Sequence, residues 1–89
     1  MHELSFIADL IRKVESLAGE HPGRSVLEVT LSLGALSPLS ESGLRDGFSL
    51  AAPGTVAQGA KLTIEVLSDP SAPRAQDVLL RTIKFGDCP

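Results

Sequence analysis

The chain has one cysteine, Cys88, and neither tyrosine nor tryptophan in its 89 residues. A lone thiol excludes an internal disulfide and any CxxC site. The aromatic side chains besides histidine are Phe6, Phe48 and Phe85, which leaves no stacking platform for single-stranded nucleic acid. Positive charge is scarce as well: 8 basic side chains face 11 acidic ones, a formal net charge of -3. That balance offers no electrostatic footprint for a nucleic-acid backbone. No apolar run approaches the roughly 20 residues that cross a bilayer. The first residues carry Glu3 and Asp9 rather than a basic stretch, so they do not read as a secretion signal. Catalytic patterns are missing too. There is no Ser-His-acid or Cys-His arrangement, no GxxxxGK[ST] and no GxGxxG. These absences argue against an enzyme and predict one soluble, cytoplasmic domain over residues 1–89, with a modest core and a thin stability margin.

What is present is clear periodicity. Leu4, Ile7, Ile11, Val14 and Ala18 recur at spacings of three and four, which predicts a helix from Leu4 to Leu17. Leu10 and Ala8 widen its apolar face, and Asp9 and Lys13 make an i,i+4 pair on the other side. Gly19 and Pro22-Gly23 end it, with His21 solvated in the turn. Val26 to Leu33 alternates as a strand, Leu27, Val29, Leu31 and Leu33 pointing one way and Val26, Glu28, Thr30 and Ser32 the other. Ser40 is placed to cap a second helix over Glu41 to Ala51, with Leu44, Phe48 and Ala51 inward. Gly43 and Gly47 weaken that helix by about 1 kcal/mol each relative to alanine, and suggest close packing on a sheet. Lys61 to Leu67 alternates again, with Leu62, Ile64 and Val66 inward. A last strand, Val78 to Phe85, has an ambiguous facing: Val78 and Leu80 compete with Leu79, Ile83 and Phe85 for the buried side. Residues 68–77, with Pro70 and Pro73, read as a short exposed connector without material for a core or a site.

The order helix-strand-helix-strand-strand predicts an α+β fold: a small three-stranded sheet with two helices packed on one face. The second and third strands are expected as antiparallel neighbours. The first two, joined through a helix, are expected to be parallel if adjacent.

The start of the chain is the chemically distinctive segment. In Met1-His2-Glu3 an α-amine, the peptide nitrogen of His2 and its imidazole can converge on one small cation. The amine loses its proton near pH 8, well before a lysine, and imidazole is a borderline ligand suited to nickel, copper and zinc. An ion that prefers a square plane can also take deprotonated amide nitrogens, including that of Glu3. The Glu3 carboxylate has two possible roles: complementing the helix start, or approaching the metal and orienting His2. Read alone, the triplet also fits an ordinary frayed terminus.

The whole sequence resembles the HypA/HybF family of hydrogenase nickel-incorporation proteins. The resemblance begins at Met1-His2-Glu3-Leu4-Ser5. It continues through Val26-Leu27-Glu28-Val29, Gly34-Ala35-Leu36-Ser37, Gly43-Leu44-Arg45-Asp46-Gly47-Phe48, Gly54-Thr55, Gly59-Ala60-Lys61-Leu62-Thr63-Ile64 and Leu79-Leu80-Arg81-Thr82-Ile83. It implies a nickel metallochaperone that holds nickel(II) through the Met1 amine, His2 and backbone nitrogens around Glu3. It further implies work with a GTPase partner toward the large subunit of [NiFe]-hydrogenase. Family members insert a zinc domain with two CxxC pairs where this sequence has residues 68–77, so a short form without a zinc site is expected, and Cys88 is expected to be inert. The alternative is an adaptor that keeps the fold without delivering metal, binding a maturation partner or self-associating through an exposed edge strand near Val26. A regulatory metal sensor is a third reading.

Overall fold

A computed structural model describes residues 2–86, with the side chain of residue 2 excepted; Met1, the His2 side chain and Cys88 lie outside the described residues. Five elements follow in the expected order: α1 (His2–Ala18), β1 (Ser25–Leu33), α2 (Glu41–Ala51), β2 (Lys61–Val66) and β3 (Val78–Gly86). The predicted α+β architecture is present, a three-stranded mixed sheet with both helices packed against it.

The strand order is β2-β1-β3, with β1 parallel to β2 and antiparallel to β3. The parallel expectation for β1 and β2 therefore holds. The second and third strands, however, are not neighbours; β1 separates them. It also follows that no exposed edge lies near Val26, which is buried on the central strand. The reason lies in the connector. Instead of turning tightly back along β2, residues 70–77 run across the end of β1. There they bond to the turn beyond it, Gly34 N–H donating to the Asp77 carbonyl at 3.0 Å and Leu36 N–H to the Ala75 carbonyl at 2.8 Å. Ala75 is buried, so the connector does contribute to the packed interior, contrary to its composition. Arg74, with φ 66°, makes the left-handed bend that turns it toward β3, and Asp77 N–H closes the bend on the Arg74 carbonyl at 2.9 Å.

Two β-bulges set which side chains face the helices. Along β1, Val26 pairs with Phe85 and Glu28 with Lys84, so Leu27 is an extra residue. It carries Val26 into the core and leaves Leu27 half-exposed, reversing the simple alternation at that end. Along β3, Thr82 pairs with Thr30 and Leu80 with Leu31, making Arg81 the extra residue. This resolves the ambiguity of the last strand: Val78, Leu80, Ile83 and Phe85 all pack on the core cluster, and Leu79 is not part of it.

The core is built from Ile7, Leu10, Ile11 and Val14 of α1, Val26, Val29, Leu31 and Leu33 of β1, Leu44 and Phe48 of α2, and Leu62 of β2. Val66, expected inward, is mostly exposed. Asp9 pairs with Arg12 rather than with Lys13. His21 rests against the Phe85 ring, centroids 4.7 Å apart. Among the described residues no helix is long and apolar enough to cross a membrane.

Candidate metal centre at the head of the first helix

The first helix starts two residues earlier than its apolar stripe. The backbone of residues 2 and 3 is already helical, and Glu3 is the acid of the first turn. The first four N–H groups of a helix lack an intrahelical carbonyl, so the Glu3 amide stands outside the ladder. Position 3 thus sits on a fixed element, at the positive end of the helix dipole, where a carboxylate is favoured.

Where that carboxylate goes was not legible in the sequence. It leaves its own helix and reaches α2. Ser40 N–H donates to Glu3 Oε2 at 3.1 Å, and the Ser40 hydroxyl lies 3.4 Å from the same oxygen. Ser40 is the N-cap of α2, and its Oγ accepts from Gly43 N–H at 3.0 Å. In a capping box the residue three past the cap supplies a Glu or Gln that reaches back to the cap's N–H. Here that position is Gly43, which has no side chain, and the carboxylate comes from α1 instead. The exchange is steric as well as polar: a Cβ on Gly43 would fall 2.8 Å from Cγ, Cδ and Oε2 of Glu3. One turn on, a Cβ on Gly47 would lie 3.3 Å from Ile7 Cγ1 and 3.5 Å from Leu4 Cα. The two glycines therefore serve contact between the helices, not contact with the sheet. Donation from Glu3's own backbone N–H, then from Ser40 N–H, holds the Glu3 carboxyl below the usual glutamate range.

Beside this junction is a cleft of about 200 Å³ lined by Glu3, Leu4, Gly43, Asp46, Gly47 and Leu50. Leu50 is 75% exposed and Leu4 43%. Of the three site residues read from the sequence, only Glu3 has a described side chain, and it is joined to α2. Among the described residues there is no group of three or more His, Cys, Asp or Glu able to hold a metal. Ser40 was recognisable as a cap, but its bond to a residue 37 positions away carries no local sequence signal.

The profile of the family described as hydrogenase/urease nickel incorporation, metallochaperone, hypA matches residues 1–70. The chain belongs to the HypA family. This is a family of metallochaperones rather than of catalysts. Similar curated proteins include the hydrogenase maturation factor HypA of Thermomicrobium roseum, 42% identical over 66 residues, which is 74% of this chain and 50% of that protein. HypA of Archaeoglobus fulgidus is 41% identical over 66 residues, covering 74% of this chain and 60% of the relative. HybF of Escherichia coli K12 is 41% identical over 64 residues, covering 72% and 57%. The chain spans between half and three fifths of the length of these HypA relatives. The solution structure of the Ni metallochaperone HypA from Helicobacter pylori superposes with a TM-score of 0.82 at 16% identity, covering 96% of this chain and 97% of that one. At that identity the likeness speaks for the fold alone, and it extends through β3, beyond the residues the family profile matches.

Proposed function

We propose that this chain is a nickel-carrying domain whose cargo site is the Met1 amine, the His2 imidazole and the backbone nitrogens of residues 2 and 3. The observation that supports this reading is the position of Glu3: residues 2 and 3 already belong to a helix, and its first turn is joined to α2 through the Glu3 carboxylate and Ser40 N–H. A cation at a helix start opposes the dipole, and two features offset that opposition. The Glu3 carboxylate supplies negative charge at the same turn, and amide nitrogens that ionise on binding reduce the charge of the complex. Amine and imidazole both lose their protons close to neutrality, so binding and release are reversible without redox chemistry.

Family membership supports nickel as the cargo over copper, which this nitrogen-rich donor set would hold more tightly. The recipients proposed are a hydrogenase large subunit and, as helper, a GTPase partner; the setting proposed is the cytoplasm. No CxxC pair occurs in the 89 residues, so the proposed nickel site draws on the first three residues alone. For the adaptor alternative, Val26 lies on the central strand, and the sheet edges are β2 and β3 instead.

The test is a nickel titration of protein with an unblocked Met1, repeated with His2→Ala and with one extra residue ahead of Met1. Both changes are expected to abolish tight binding and leave the circular dichroism spectrum unchanged. Undiminished affinity in either would end the chelate reading.

A further inference from the structure

The two edges of the sheet are built differently. On β2, Arg45 Nη1 covers the Leu62 carbonyl, and Lys61 and Glu65 put charge on the strand. Both features protect an edge against pairing. On β3 the stretch Val78-Leu79-Leu80 carries no charge, and among the described residues no strand lies on its outer side. Clefts of about 250 and 360 Å³ border it, sharing Phe6, Val78 and Leu79 as walls. Asp77 and Arg81 bracket the stretch with opposite charges. We propose that this edge pairs with a second copy of the chain, antiparallel about a two-fold axis at Leu79.

The backbone fits that arrangement. Gly34 N–H donates to the Asp77 carbonyl at 3.0 Å, and Leu36 N–H to the Ala75 carbonyl at 2.8 Å. In an antiparallel ladder, opposite residues alternate between bonded and unbonded pairs. Ser32 and Leu79, two residues on in the same register, are therefore the next bonded pair. The N–H and C=O groups of Val78 and Leu80 then point to the open side. A second β3 laid with Leu79 opposite Leu79 sets Val78 of each copy opposite Leu80 of the other. Each such pair exchanges both of its bonds, and the two Leu79 residues meet in an unbonded pair at the axis.

The side chains fit the same register. Val78 and Leu80 both pack on the core cluster, so each meets an apolar partner on the helix side of the joined sheet. One step further out, Asp77 of each copy faces Arg81 of the other. Asp77 Oδ2 accepts from Arg74 Nε at 2.9 Å, which leaves its second carboxylate oxygen for this contact. Arg81 is exposed and makes no ion pair with another described residue. A slip of one residue sets Asp77 against Leu80 and loses both charge pairs, so the charges select the register. The bulge at Arg81 ends the pairing there, which keeps the contact short and the dimer dependent on concentration. The joined sheet runs β2-β1-β3-β3-β1-β2, with the helices of both copies on one face.

The test uses the full chain. Sedimentation equilibrium over a range of concentrations is expected to show monomer and dimer in exchange. Arg81→Asp puts like charges opposite each other at both ends of the pairing and is expected to weaken the dimer by about tenfold or more. Asp77→Arg is expected to do the same. An equimolar mixture of the two variants is expected to recover the dimer, because every 77–81 pair then joins an arginine to an aspartate. Circular dichroism checks that each variant is folded. Without any substitution, an isotope-filtered NOE is expected between Leu79 Hα of a labelled chain and Leu79 Hα of an unlabelled one. A chain that is monomeric at every concentration overturns the inference and leaves the edge to an extended segment of a different protein. A dimer indifferent to Arg81→Asp, a mixture of folded variants that does not recover it, or a dimer without the Leu79 contact overturns it as well.

Discussion

A Cβ on Gly34 would sit 2.2 Å from the carbonyl oxygen of Ala75 and 2.8 Å from that of Asp77. Backbone meets backbone here, at the point where the connector crosses the end of β1, and neither side is a flexible side-chain tip. The same contact carries the bonds from Gly34 N–H and Leu36 N–H into residues 75 and 77. Gly34→Ala is therefore expected to push the connector off the sheet and destabilise the fold by about 3 kcal/mol or more, at the upper end of overpacking effects. Urea unfolding reads this directly. A midpoint equal to that of the unsubstituted protein would show that the connector does not close on β1 as described.

Arg45 ties α2 to the outer strand. Its Nη1 donates to the Leu62 carbonyl at 2.8 Å, and its Nε to Glu41 at 3.2 Å. β2 is an edge of the sheet, and unpaired carbonyls along an edge invite pairing with another chain. Arg45→Ala is expected to cost about 1 kcal/mol, the scale of one partly solvated, charge-assisted hydrogen bond. It should also raise concentration-dependent association, measured by analytical ultracentrifugation. Stability and monomer fraction both unaltered would remove Arg45 from this role.

The contrast between these two sites shows what a reader of the sequence can reach. Elements are legible because periodicity is local: Ile7, Ile11 and Val14 declare a helix, and Leu62 and Ile64 a strand, whatever surrounds them. Ser40 as a cap is legible for the same reason. The bulges at Leu27 and Arg81 are not, because an extra residue is defined only against the strand opposite. Without them Val26 faces the wrong way and β3 has no consistent inner side. The β2-β1-β3 order is hidden likewise, since a connector of about ten residues permits either a return beside β2 or a crossing of β1, and the Gly34–Ala75 contact decides between them. At the candidate site the proposed donors are local to the first three residues, but Glu3's destination depends on a glycine 40 positions later that leaves space rather than supplying chemistry.

The start of the connector carries its own pH dependence. Asp69 Oδ1 accepts from the Ser71 hydroxyl at 2.7 Å and from Ser71 N–H at 2.9 Å. Those two bonds, the hydroxyl's first, hold its carboxyl below the usual aspartate value. A folded pKa below the unfolded one stabilises the fold above the unfolded value of about 3.9, and that contribution is lost as pH falls through the folded value. Carbon-detected NMR titration is expected to place the Asp69 midpoint below that of an unstructured aspartate, with Ser71→Ala moving it up. The side chain is exposed, so the effect on global stability will be small. An Asp69 midpoint unmoved by Ser71→Ala would dissolve the turn described here.

Nickel affinity should itself climb with pH, in a way that identifies the donors. An unperturbed imidazole is half-deprotonated near pH 6.5 and an α-amine near pH 8. Below each value a metal must displace that group's proton, at a cost of about tenfold in apparent affinity per pH unit per proton. Between pH 7 and 8 the imidazole is already largely neutral, so a slope of about tenfold per unit is expected from the Met1 amine alone. Any amide nitrogens of residues 2 and 3 that ionise on binding make the slope steeper by about the same factor each. Calorimetry in buffers of different ionisation enthalpy counts the released protons independently of the affinity. Acetylating the α-amine should remove its share of the slope along with most of the affinity, and His2→Ala should flatten the profile between pH 6 and 7. An affinity that does not change from pH 6 to 8 would mean that carboxylates, already ionised across that range, hold the metal in place of nitrogen.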